Sequence, residues 1–369
     1  YSTEPTFSYK IDNPCRADLT CIIKNKYGKV EMSTSFSSNH NFSKGFFYVA
    51  DGTFNFYDTE KKTAYQDCYA SLNAGKTLGI GNYDSANIIH SNGKFYLLVG
   101  TSTSNRDHFY IVDAKTLYYE NSAAVGANLS GLTILNEQYG LVTGDGIRRI
   151  DLKSLNNVRI KNERLLCFYN SIIYNGKVLS NDTYKDESKV KYYDVNELIA
   201  AKEGEAPAVT ELDIIQKQKI NFVLAKDGNV YTLESADNGC NIVKIKNDFT
   251  LEKVFANFQP AKGPYHSSPT IGMVASETEN IIYLVSTDGA IYKYILGDSD
   301  SLKAPFIAAE SGVSITAPLQ LNQQSGELYV TYTEELKDES KIVVYSKDGK
   351  VLHTVDCGES VPSQILFNN

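Results

Sequence analysis

GKFYLLVGTSTSNRDHFYIVDAKT, residues 93–116, holds the pattern on which the fold turns. A Gly turn leads into a short apolar-aromatic run, and a polar stretch interrupts it. A second alternating run then ends at Asp113 and passes into a polar tail. Period-two alternation between turn-forming clusters predicts two paired strands. The phrase recurs as GFFYVADGTFNFYDTEKK from Gly45, YGLVTGDGIRRIDLKS from Tyr139 and GKVLSNDTYKDESKVKYYDVNE from Gly176. Weaker copies begin at Asn229, Ile281 and Glu327. The starts are 48, 46, 37, 53, 52 and 46 residues apart. That period is the size of a propeller blade.

Outside each pair lies a further apolar run on either side, such as Ser171-Ile172-Ile173-Tyr174 before one and Lys350 to Val355 after another. Four antiparallel strands per repeat predict an all-β, seven-bladed β-propeller. Thr143-Gly144-Asp145-Gly146 and Ser286-Thr287-Asp288-Gly289 suit tight turns needing positive φ. The recurring Asp58, Asp113, Asp151 and Asp194 each end a third strand, where a carboxylate accepts backbone N–H groups of the following turn. One segment reads as helix, Val195–Ala201, and is expected as an insertion between the fourth and fifth units. The tail Ser363–Phe367 resembles an inner strand, so it is expected to complete the first blade and close the ring. Residues 1–369 are thus expected to form one propeller domain, with 1–44 as a closure segment padding the outside of the seam and 45–369 as the repeats.

Composition narrows the function. The chain has 369 residues, is 42% hydrophobic, and carries a net charge of −8 without a basic cluster. Nucleic acid is therefore excluded as an expected partner, because binding phosphates needs grouped Lys and Arg. No apolar run approaches the roughly 18 residues of a membrane helix. Tyr is abundant at 26 and Trp absent, a bias toward pleated, half-buried positions. Only two Met occur and the sequence opens at Tyr1 without an initiator, which favours a mature exported form. Six Cys form no CxxC, so no zinc site is expected; Cys15 and Cys21 could bridge locally, and the others read as buried thiols in strands.

No HExxH, GxSxG or phosphate-loop motif occurs, and neither does the sialidase Asp-box. Quinone-dependent propeller dehydrogenases rely on Trp-rich repeats, and this chain has no Trp. No catalytic residue, metal or cofactor is expected. The adjacent carboxylates Asp186-Glu187 and Asp338-Glu339 read as solvated charges. What remains is the mouth, where connections from every blade converge and recognition tends to sit. The expected ligand contacts are Asn82, Tyr83, Asn105, Arg106, Tyr169, Tyr265 and His266, all on connections leading into inner or third strands.

Residues 78–117, 131–155 (GLTILNEQYGLVTGDGIRRIDLKSL) and 344–367 (VYSKDGKVLHTVDCGESVPSQILF) resemble the YVTN/YncE-like surface-layer propellers of Bacteroides-type bacteria. The resemblance implies an exported, lipid-anchored seven-bladed propeller at the cell surface or in the periplasm. Some members of that family bind vitamin B12 and cap TonB-dependent transporters. It further implies a capture or interaction module beside an outer-membrane transporter; the expected partner is a small molecule or glycan, or an outer-membrane protein, and the chain is expected to be a monomer. The sequence departs from the family at Val49-Ala50-Asp51-Gly52, where an Asn-Glu-Gly phrase is usual. The rival expectations are a propeller hydrolase or lyase, with His266 and a carboxylate at the mouth, and a purely structural surface-layer protein.

Overall fold

The computed structural model describes residues 16–37, 41–73, 78, 86–100, 107–126, 129, 131–144, 146–161, 171–181, 188–205, 207–216, 221–261, 272–334 and 339–368. Within them seven antiparallel sheets follow one another along the chain, and an eighth, two-stranded ribbon precedes them. Numbering blades along the chain, blade 2 shows the complete pattern: Ala86–Ser91, Lys94–Val99, Asp107–Asp113 and Tyr119–Gly126, paired in sequence order. Blades 3, 4 and 5 repeat that order.

Blade 1 is assembled from both ends of the repeat array. Its inner strand is Pro362–Leu366, which pairs antiparallel with Gly45–Ala50, setting Phe47 opposite Leu366 and Tyr48 opposite Ile365. Thr53–Asp58 and Thr63–Tyr65 complete it. The closure expected from the tail is therefore present.

Seven apolar clusters, one between each pair of neighbouring blades, show why the repeats are hydrophobic on both sides. A blade has a neighbour on each face, so successive residues of one strand enter different cores. In Gly45–Ala50, Phe47 and Val49 join the cluster shared with blade 2, while Phe46, Tyr48 and Ala50 join the cluster shared with blade 7. Phe46 meets Tyr329 of blade 7 edge-on at 5.0 Å, and Phe47 meets Phe95 of blade 2 at 5.4 Å. Such aromatic contacts add to the area term at the seam.

Two blades depart from the repeat. The inner strand of blade 7 is split into Val313–Ile315 and Gln320–Leu321, both beside Leu328–Glu334. Blade 6 has three strands, Met273–Ala275, Ile281–Val285 and Ile291–Ile295. After Ile295 the chain turns at Gly297, and Asp298 caps a 3-10 turn over Ser299–Leu302. The open edge is blunted locally. Ile295 N–H donates to Ser301 Oγ at 2.9 Å, and Ile291 exchanges backbone bonds with Ile307. Edge strands left bare invite foreign pairing, and these contacts occupy this one.

The helix Val195–Ala200 exists, but it is not an insertion between units. It lies inside blade 4, between the third strand Ser188–Asp194 and the outer strand Val209–Gln216. Asp194 ends the strand and caps the helix, accepting Asn196 N–H at 2.8 Å and Glu197 N–H at 3.1 Å. A second short helix, Cys68–Leu72, was not apparent in the sequence; it places Cys68 in a helix rather than a strand. The head forms a separate hairpin, Arg16–Asn25 with Gly28–Ser37. Ile22, Tyr27, Val30 and Met32 stand exposed on it, so these side chains do not pad the seam.

Candidate functional site

Antiparallel order divides the blade ends into two faces. Connections from inner to second strand and from third to outer strand emerge on one face, here the turn face. Connections from second to third strand and from blade to blade emerge on the other, the mouth.

The turn face is built from local rules. Asn92-Gly93 and Asn175-Gly176 adopt positive φ at both residues (51° and 69°, 47° and 71°), the geometry of a two-residue hairpin turn. The strand-ending carboxylates do what their position predicts. Asp58 Oδ1 accepts N–H from Glu60 and Lys61 at 3.0 and 2.8 Å. Asp113 accepts Thr116 N–H at 2.8 Å, and Asp151 accepts Ser154 N–H at 2.7 Å. Ser346 plays the part in blade 7, accepting Lys350 N–H at 3.1 Å. Four residues beyond the strand end the chain turns left-handed, at Lys62, Leu117, Leu155, Phe249 and Gly349.

The mouth is different. Asn82, Tyr83, Asn105, Arg106, Tyr169, Tyr265 and His266 lie outside the described residues. The strand ends that flank them, at Ala86, Asp107, Ile172, Phe258 and Met273, all belong to this face.

Beneath those ends lies a band of buried polar side chains. Asn87, Asp107, Thr143, Asn181, Gln216, Asn241, Ser286 and Ser340 are each buried and stand at or within a few residues of a strand end on this side. Burying such groups is costly unless they are hydrogen-bonded. Gln216 joins blades 4 and 5: its Oε1 accepts from Asn181 Nδ2 at 2.8 Å, and its Nε2 donates to Thr232 Oγ1 and Leu233 O at 3.0 Å each. Asn241 Nδ2 donates to Glu234 at 2.9 Å. Asn87 Nδ2 is buried without a partner. Carboxamides also tie inner strands of adjacent blades. Asn221 donates to Met273 O at 2.6 Å and accepts its N–H at 3.2 Å, and Gln364 donates to Ile88 O at 2.7 Å. The sequence carries no signal for these amides beyond their abundance, because their partners are backbone groups of the next blade.

The turn face carries an open groove of about 460 Å³ on blade 5, lined by Asn229, Lys244, Lys246, Asn247 and Asp248. Its charges are internally matched. Lys244 Nζ lies 2.8 Å from Asp227, and Lys246 Nζ lies 2.9 Å from Glu252. Burial pushes the Asp227 carboxyl up, but bonds from Lys244, Tyr231 and Asn229 outweigh it and hold it below the usual range.

None of the three described thiols is tuned for nucleophilic work. Burial raises the thiols of Cys68, Cys240 and Cys357 to about 12, 11 and 12, which keeps them protonated. Cys15, Cys167 and the side chain of Cys21 lie outside the described residues. His90, an inner-strand residue of blade 2, has its pKa lowered by burial, and its Nε2 is unpartnered. No three His, Cys, Asp or Glu converge on a metal-sized point among the described residues.

Fold and site together define a seven-bladed propeller with a band of buried polar side chains beneath one face, the mouth. The chain belongs to the family described as a domain of unknown function, DUF5074, whose model matches residues 42–368. It is similar to a crystal structure of a quinonprotein alcohol dehydrogenase-like protein from Bacteroides thetaiotaomicron VPI-5482. The identity is 99%, covering 100% of this chain and 89% of that one, at a TM-score of 0.94. A functionally unknown protein from Desulfotomaculum acetoxidans DSM 771 matches with 12% identity over 88% of this chain and 99% of that one, at a TM-score of 0.56. The dihydro-heme d1 dehydrogenase NirN, in complex with DHE, matches with 10% identity over 89% and 76%, at 0.53. The last two likenesses show the fold alone. No curated protein matches the chain.

A quinone cofactor does not fit the residues described. The chain has no Trp to stack on it, and among the described residues no acidic cluster gathers at the inner strands to hold an accompanying cation.

Proposed function

We propose that the chain is a non-enzymatic binding propeller of the exported, lipid-anchored kind, related to the YVTN/YncE-like propellers. It captures a small molecule or glycan, or an outer-membrane partner protein, at the mouth, beside a TonB-dependent transporter. The observation that carries this reading is the asymmetry between faces. Buried amides and hydroxyls gather under the mouth, where the connections 162–171, 182–187 and 259–272 attach beside tight turns at 51–52 and 237–238, while the turn face is held by local carboxylate and hydroxyl turns, the 195–208 connection of blade 4 excepted. A rigid scaffold displaying long connections at one end is a common design for recognition. Asn82, Tyr83, Asn105, Arg106, Tyr169, Tyr265 and His266 supply the contacts in this reading, with Tyr and Asn offering flat surfaces and adaptable hydrogen bonds.

The test is a panel of cofactors, cobalamins and oligosaccharides screened by thermal shift and then by calorimetry against the wild type and a Tyr265→Ala/His266→Ala double variant. Retained binding that weakens about tenfold or more in the variant supports the reading. Turnover of any panel member without retained binding would sink it.

A further inference from the structure

The N-terminal ribbon ends in open backbone. Its strands Arg16–Asn25 and Gly28–Ser37 pair through an unshifted register, from Arg16 with Ser37 to Asn25 with Gly28. A two-residue turn joins them, so Gly28, Val30 and Met32 direct their backbone groups to the first strand, while Lys29, Glu31 and Ser33 direct theirs away. Among the described residues, the outward N–H and C=O groups of Lys29, Glu31 and Ser33 have no partner. The side chains along this edge are open to solvent, Val30 at 58% and Met32 at 59% exposure. An isolated two-stranded ribbon is marginal in water. This one also places Lys24 directly opposite Lys29, a like-charge pair that costs stability. Glu31, 2.5 Å from Lys29 Nζ, is the nearby compensation.

We propose that this edge docks on the same edge of a second copy of the chain, making a four-stranded antiparallel sheet about a two-fold axis at Val30. In that register Lys29 lies opposite Glu31 of the second copy, and Glu31 opposite its Lys29. Both residues turn their backbone groups outward, so they form the closely spaced hydrogen-bonded pairs of an antiparallel ladder. Each Lys29 then sits between the like charge of Lys24 and an unlike charge across the axis. The two Val30 side chains meet, and Met32 lies opposite Gly28, where an added Cβ would find nothing within 4 Å. The order Lys-Val-Glu is self-complementary only under two-fold antiparallel pairing, and this selects a second copy as the occupant. The assembly departs from the monomer expected from sequence.

Sedimentation velocity on the 369-residue chain, from about 1 μM to about 1 mM at low salt, tests it; exposed charge pairs are least screened there. A dimer should grow with concentration. Glu31→Lys, which sets like charges across the axis, should weaken association about tenfold or more. Lys29→Glu with Glu31→Lys restores the unlike pairing and should return association to within about threefold of wild type. Thermal unfolding of all three proteins should coincide, because the ribbon stands outside the blade cores. A monomer at every concentration, a dimer indifferent to Glu31→Lys, or a double variant no better than the single would each overturn the proposal.

Discussion

The two faces of this ring solve the same task, joining antiparallel strands, by different means. On the turn face a side chain three residues away is enough: Asp151 folds its own turn. On the mouth the fastening is long-range, and Gln216 draws together groups from two blades. The difference teaches where substitution is local and where it spreads. Residues of the turn face answer to their neighbours in sequence. Residues beneath the mouth answer to partners in another repeat.

The sharpest break of that contrast is Gln216→Ala. It leaves Asn181 Nδ2 short of its acceptor in a buried setting and should cost about 2–4 kcal/mol, read as a shift of the urea midpoint. Next come two glycines, one per face. Gly239, at a mouth turn, has φ of 120°, and an added Cβ would press on Phe258 O at 2.5 Å. Gly93, at a turn-face hairpin, has φ of 69° with nothing within 4 Å. Gly239→Ala should cost roughly 2–3 kcal/mol, and Gly93→Ala about 1, the backbone term alone. Equal losses would erase the distinction.

Asp151→Ala should cost about 1 kcal/mol, the scale of a lost turn cap. It also carries a pH signature. Bonds from the Ser154 backbone N–H first, then from the Ser154 hydroxyl, Gln138 and Lys153, hold the Asp151 carboxyl below its ordinary 3.8. A depressed folded-state value means stability present above the unfolded pKa and lost as pH falls through the folded one. The variant should therefore lose less stability than wild type on acidification below about pH 4, followed by thermal melts. The smallest effect runs the other way. Lys62 is exposed with φ of 53°, and Lys62→Gly should stabilise by about 0.5–1 kcal/mol, visible as a raised melting temperature.

The ring itself was legible because each blade is buried on both sides, which writes continuous apolar runs such as Phe46–Ala50 between turn signals. The closing strand was legible for the same reason, since a lone apolar tail needs a sheet to join. The helix after Asp194 was visible but misplaced, because a carboxylate that ends a strand and one that caps a helix look alike. The missing fourth strand of blade 6 hides in Gly297, Asp298 and Pro305, ordinary loop residues until their turn is seen. Of the mouth, the connections that lie on it were legible from strand order. The polar band under it was not, because Asn181, Gln216 and Asn221 find their partners tens of residues away.

The seam between Pro362–Leu366 and Gly45–Ala50 has a consequence during synthesis. The ribosome delivers the inner strand of the first blade after every other strand of the ring, so Phe46 and Tyr48, which face blade 7, wait uncovered while six blades emerge. Unless shielded, that waiting edge is where a nascent chain would stick to its neighbours.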